Sequence, residues 1–159
     1  MRTVFDTLKY FTYGEKWGAP ERISGLLLLT LDRVRESLGH TIVIHCGYEA
    51  AGRVANSQHT IGNAVDYHVE GIPFYDAYTM QSAIFDFLQI SDRIGFGIYP
   101  DWNTPGFHLD VRGTRARWGA VHARDAQGNK LYNGRAPVWN YIGIEAAAEY
   151  ALKKLPRPL

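Results

Sequence analysis

Two short segments, "NAVDYHVE" and "GFHLDVRG", constrain the fold of this chain more than any other feature. Successive side chains of a strand point to opposite faces. In the first segment Val65, Tyr67 and Val69 therefore oppose Ala64, Asp66 and His68, and in the second Phe107, Leu109 and Val111 oppose His108, Asp110 and Arg112. Each strand needs an apolar cover on one side and carries imidazole and carboxylate on the other. That division predicts an α+β domain, an antiparallel sheet with helices on one face and a polar site on its open face.

The remaining elements fit around these strands. "SGLLLLTLDRVRESLG" reads as a helix ended by Gly39, with Ile23, Leu27, Val34 and Leu38 on its apolar side and Asp32, Arg33, Arg35 and Glu36 on its wet side. "TIVIHCGY" reads as a strand, "PFYDAYTMQSAIFDFLQI" as a helix opened by proline, and "RIGFGIYP" as a strand joined to "GFHLDVRG" through the turn-rich "DWNTP". "GIEAAAEYALKKL", over about 144–155, predicts a final packing helix with acids early and lysines late. With 159 residues and no repeat or long linker, a single domain over 1–159 is expected.

A formal net charge of +1 argues against the broad basic footprint that nucleic acid binding needs. No segment approaches the roughly 20 apolar residues of a membrane span, and the N-terminus lacks the pattern of a secretory signal. The lone cysteine, Cys46, excludes a disulfide framework or a cysteine zinc motif and reads as a small core residue. A monomer is expected, kept in the cytoplasm until released to its target or exported by other means.

"NSQHTIGNAVDYHV" adds chemistry to this frame. His59 and Asp66 are seven positions apart, which in an unbroken strand would place them on opposite faces, so a turn must intervene. "TIGN" supplies one, because Gly62 and Asn63 tolerate positive φ, and it lets His59 swing over the face from which Asp66 projects. His108 is the natural third member. Two imidazoles and a carboxylate suit one Zn²⁺ and leave a fourth position for water, the pattern of a catalytic zinc. Spacing alone also allows these side chains to be ordinary hydrogen-bonding partners of backbone or surface water.

"SQHTIGNAVDYHV" resembles the Ser-x-His-x-x-Gly-x-Ala-x-Asp signature of the zinc D-Ala-D-Ala carboxypeptidase and murein endopeptidase family, whose fold is shared with the Hedgehog signalling domain. "GFGIYPDWNTPGFHLDVRGTRARWG" resembles its second signature, a Gly-x-Tyr-Pro strand followed by Phe-x-His-x-Asp and a basic segment ending in tryptophan. The helix, the "CGY" strand and the two motifs, in that order, cover about residues 10–119. The resemblance implies a Hedgehog/DD-peptidase-like fold, zinc held by His59, Asp66 and His108, and hydrolysis of peptide bonds in peptidoglycan stem peptides, as in a phage-type lysin. Ser57 and Asp110 also fall at motif positions. Asp110, two residues from His108 on the same face, reads as an acceptor orienting a ligand imidazole, or as a partner of Arg112 or Arg115.

The chain departs from the family at two positions. Where many relatives carry an arginine that grips a substrate carboxylate, this chain has Glu49, which would repel one; Arg53 or Arg112 could take over. Where several branches place a base three residues before the last ligand, this chain has Pro105. The base would then come from Asp110 or Asp101, with His68 behind them. His68 otherwise reads as a hydrogen-bonding residue beside Asp66, and Tyr99 as a cleft-lining donor to a developing oxyanion or as a core residue. Trp102, Trp118 and Tyr48 read as packing, and His40 and His122 as solvated. An endopeptidase is favoured over a carboxypeptidase. The competing reading is a catalytically inactive zinc-binding module of the same fold.

Overall fold

The computed structural model describes residues 3–155. Three helices, α1 (Gly25–Leu38), α2 (Phe74–Phe87) and α3 (Ile144–Lys154), accompany eight strands: β1 (Ile42–Cys46), β2 (Ala64–Val69), β3 (Gly95–Tyr99), β4 (Gly106–Asp110), β5 (Ala116–His122), β6 (Tyr132–Asn133), β7 (Ala136–Pro137) and β8 (Trp139–Ile142). Six strands form one sheet in the order β1-β2-β4-β3-β5-β8, and β6 and β7 form a separate two-stranded hairpin. The domain is α+β, and no helix is long and apolar enough to cross a membrane among the described residues.

The sheet differs from the antiparallel one that the sequence suggests, because β3 and β5 run parallel. Strand β4 returns antiparallel to β3 on one side. Residues 111–115 then carry the chain beneath the start of β3, where the Gly113 N–H donates to the Arg93 carbonyl over 2.9 Å. The chain emerges on the other side as β5, directed like β3. Strands β5 and β8 were not legible in the sequence; β5 carries "ARWGAVH", which lacks clean alternation.

The helices share one core with the apolar sheet face. Leu27, Leu31, Val34 and Leu38 of α1, Phe85 of α2 and Ala147 of α3 join Ile44, Val65, Tyr67, Phe96, Phe107 and Leu109 in a single buried cluster. Gly39 closes α1 in the left-handed conformation, as its place after the last apolar turn suggests. Cys46 is not part of that core. Strand β1 is irregular between Ile44 and Cys46, and the thiol is half-buried, with the Arg53 guanidinium 3.6 Å from its sulfur. His122 lies in β5 rather than in a solvated turn, stacked on Trp139 with centroids 4.4 Å apart.

Candidate metal centre

Strand register builds most of the site. Cys46 faces Asp66, Asp66 faces His108, His108 faces Gly97 and Gly97 faces Trp118, one row running across five strands. Gly97 has a steric reason: a Cβ there would lie within the Trp118 indole, beside His108. Gly95, two residues earlier on the same strand, likewise leaves room for the Asp110 carboxylate. Strand β3 thus contributes no side chain at these positions, and its neighbours fill the space.

The third member arrives from a loop. A 3₁₀ turn over Gln58–Ile61 carries the buried His59, and the Ser57 hydroxyl caps that turn by accepting the His59 backbone N–H over 3.4 Å. Gly62 ends it with φ of 74°, where a Cβ would strike the Arg22 carbonyl, so only glycine lets the chain double back into β2.

His59, Asp66 and His108 converge on one point. Nε2 of His59 is 3.2 Å from Nδ1 of His108, which is 2.9 Å from Oδ1 of Asp66, itself 3.2 Å from the His59 Nε2. An ion holding such atoms at about 2.0–2.1 Å in a tetrahedron would separate them by about 3.3 Å, close to these edges. The three buried residues form the group, among those described, that could hold a metal ion.

The outer atoms of each side chain are also engaged. His59 Nδ1 donates to the Gly47 carbonyl over 2.6 Å, and His108 Nε2 donates to Oδ2 of Asp110 over 2.8 Å. These contacts fix the tautomers and turn the other ring nitrogens, with their lone pairs, inward. Arg53 holds the outer oxygen of Asp66, Oδ2, over 3.0 Å, leaving Oδ1 for the centre.

Protons hold the inner edge when no metal does. Burial opposes charge on His59, but the hydrogen bond with Asp66, the contact with Cys46 and the charge of Asp66 outweigh it and push its pKa up to about 9. Burial opposes charge on His108 too, and the hydrogen bonds to Asp110 and Asp66 raise it nonetheless. Burial alone would raise Asp66, yet the imidazoles of His108 and His59 hold it far below the usual carboxylate range. A metal ion binding here must displace imidazole protons.

The site floors a cleft of about 550 Å³ whose walls include Arg53, Tyr99, Arg112 and Trp118. The two arginines are not unattached. Arg53 pairs with Glu49 as well as Asp66, and Arg112 grips both oxygens of Asp110 through Nε and Nη2 over 2.7 and 2.6 Å. The Tyr99 hydroxyl accepts the Trp118 indole N–H over 2.8 Å, and burial raises its pKa, so it keeps its own proton.

Of the carboxylates that the sequence offers as bases, Asp110 is fully buried on the far side of His108, sealed by Arg112. It positions the imidazole. Asp101 faces another cavity, and its oxygens accept the Tyr150 hydroxyl over 2.8 and 2.9 Å and the His122 backbone N–H over 2.8 Å. His68 points to His45, with 2.6 Å between His68 Nδ1 and His45 Nε2, and also lines that other cavity.

Three participants were missed from the sequence. The Gly47 carbonyl carries no side-chain signal. The Trp118 ring and the Glu49–Arg53 pair had one each: alternate glycines in "GFGIY" mark a close approach, and Glu49 and Arg53 are four residues apart. Family models, curated proteins and solved structures return no match to this chain.

Proposed function

We propose that the chain is a metallohydrolase whose centre is His59, Asp66 and His108. More particularly, it is a zinc peptidase of the Hedgehog/DD-peptidase fold that hydrolyses peptide bonds of bacterial peptidoglycan. The observation that carries this reading is the convergence of His59 Nε2, His108 Nδ1 and Asp66 Oδ1 within 3.2 Å of one another at the floor of an open cleft. The order of the two sequence signatures, which resemble those of zinc murein peptidases, supports the choice of metal and substrate.

Zinc held by such a donor set lowers the pKa of its water toward about 7 and polarises a carbonyl oxygen. The chain's own residues supply the rest. Asp110 and the Gly47 carbonyl keep the two imidazoles in register, and Arg53 keeps Asp66 from offering its second oxygen. Tyr99 lines the cleft and its oxygen already accepts from Trp118, which leaves its own O–H as the donor for a developing oxyanion.

A second reading, a zinc-binding module without turnover, has its own support. Asp110 and Asp101 are both fully engaged elsewhere, so neither is placed to take a proton from a bound water. Metal analysis followed by digestion of crosslinked muropeptides with and without chelator separates the readings. Chelator-sensitive release of amino groups without new reducing ends is the expected result. Tight zinc without turnover would favour the module, and absence of zinc would overturn both.

A further inference from the structure

The open face continues beyond the metal centre. Two residues along β2, about 7 Å at the rise of a strand, His68 takes the place that Asp66 holds. There a second cavity of about 680 Å³ opens, walled by His45, His68, Trp102, His122 and Trp139, with Lys16 and Lys130 at its edges. Tyr99 and Trp102 stack with centroids 4.1 Å apart; Tyr99 lines the metal cleft and Trp102 lines this cavity, so the pair forms a shared wall.

The unpaired charge of this cavity is one-sided. Lys16 and Lys130 bring two ammonium groups to its lining, the His45 and His68 imidazoles are turned to each other, and the one carboxylate in its lining, Asp101, already accepts from Tyr150 and the His122 backbone. Neither lysine ammonium has an ion-pair or hydrogen-bond partner among the described residues, and His122 Nδ1 is buried in the wall without one. The cations of the metal cleft are the reverse case, since Arg53 and Arg112 are each committed to carboxylates of the chain itself. Two unpaired ammonium groups beside aromatic walls suit an anionic group on an organic ligand better than a cationic one.

We infer that this second cavity binds a carboxylate carried by the peptide ligand at a position away from the bond being cut. The identity of that ligand rests on the peptidase reading of the neighbouring centre; the cavity's preference for a carboxylate does not. The substrate class is accordingly an acidic stem peptide, one that keeps a carboxylate free at a distance from the bond being cut, in preference to its amidated counterpart.

The test uses the full-length protein stripped of metal, so that binding is read without turnover. A γ-D-glutamyl peptide with a free α-carboxylate and the same peptide amidated are titrated by calorimetry, with N-acetylglucosamine as a neutral probe. The free acid is expected to bind about tenfold more tightly than the amide, the size that two partly exposed charge contacts support. Lys16→Ala combined with Lys130→Ala should abolish that difference, Lys16→Glu should reverse it, and Arg33→Ala, on the exposed side of α1, should leave it in place. Equal affinity for acid and amide, preference for the neutral sugar, or an unchanged difference in the double lysine variant would each overturn the inference. If the preference appears but muropeptides are not cut when zinc is restored, the peptidase reading fails and the carboxylate site stands.

Discussion

The His108 ring is held at both nitrogens by carboxylates, Nε2 at 2.8 Å from Asp110 and Nδ1 at 2.9 Å from Asp66, so one imidazole links a buried anchor to the candidate metal position. Asp110→Asn keeps the shape but weakens the acceptor that orients the ring. Zinc affinity measured by chelator competition should fall about 10–100-fold. Unchanged affinity would reduce Asp110 to a partner of Arg112.

Alanine at His59, Asp66 or His108 removes one corner of the triangle. Each variant should lose most of its zinc by metal analysis after dialysis, and Asp66→Ala should also leave Arg53 with Glu49 as its remaining carboxylate. A fully occupied His108→Ala protein would take that residue out of the site.

The metal-free protein should show a defined pH response. His59 has a folded pKa of about 9 against an ordinary 6.5, so its contribution to stability is fully present below 6.5, declines above it and is gone once pH exceeds about 9. Asp66 is depressed, so its contribution holds above the ordinary carboxylate range and fades as pH falls below that range. The denaturation midpoint of apo protein should therefore drop between about pH 6.5 and 9, and zinc should bind more tightly over the same interval as fewer protons must leave. A flat midpoint across that interval would show that the inner edge is not proton-bridged.

Gly97→Ala places a methyl inside the space of the Trp118 indole. Overpacking of this kind costs about 1–3 kcal/mol. Chemical denaturation should register that loss, and the displaced ring should weaken its contact with Tyr99. A wild-type midpoint would mean that the ring moves freely.

If the proposed peptidase activity holds, Glu49 bears on which peptide bond is cut. Its pairing with Arg53, and that of Arg112 with Asp110, leave no uncommitted guanidinium among the described residues lining the cleft for a terminal carboxylate. A crosslinked dimer should be cut faster than a monomeric pentapeptide stem at equal concentration. Glu49→Gln removes a repelling charge and leaves Arg53 tied to Asp66 alone, which should narrow the gap. Faster release of terminal D-Ala from the monomer by the wild type would refute the endopeptidase preference.

The convergence of the three candidate ligands was legible because its parts follow local rules: alternation sets the facing of Asp66 and His108, and a glycine turn brings in His59. Asp110 was legible as an orienting acceptor for the same reason. What escaped the sequence depends on contacts between distant segments. Nothing near Asp101 announces that Tyr150, 49 residues on, occupies its carboxylate, and only the register of β3 against β5 sets Trp118 beside His108. The parallel pair escaped for a similar reason, since alternation reports which way side chains face but not which way a neighbouring strand runs.

The Tyr150–Asp101 hydrogen bonds give the C-terminal helix a reach beyond the core it packs against. Asp101 begins the loop that carries Trp102, and Trp102 lies flat on Tyr99 at the edge of the metal cleft. A fusion, tag or truncation at the carboxyl end that unseats α3 would therefore be transmitted through a tyrosine and a loop to the mouth of the site. Activity lost in such a variant would report a detached tether rather than a damaged centre.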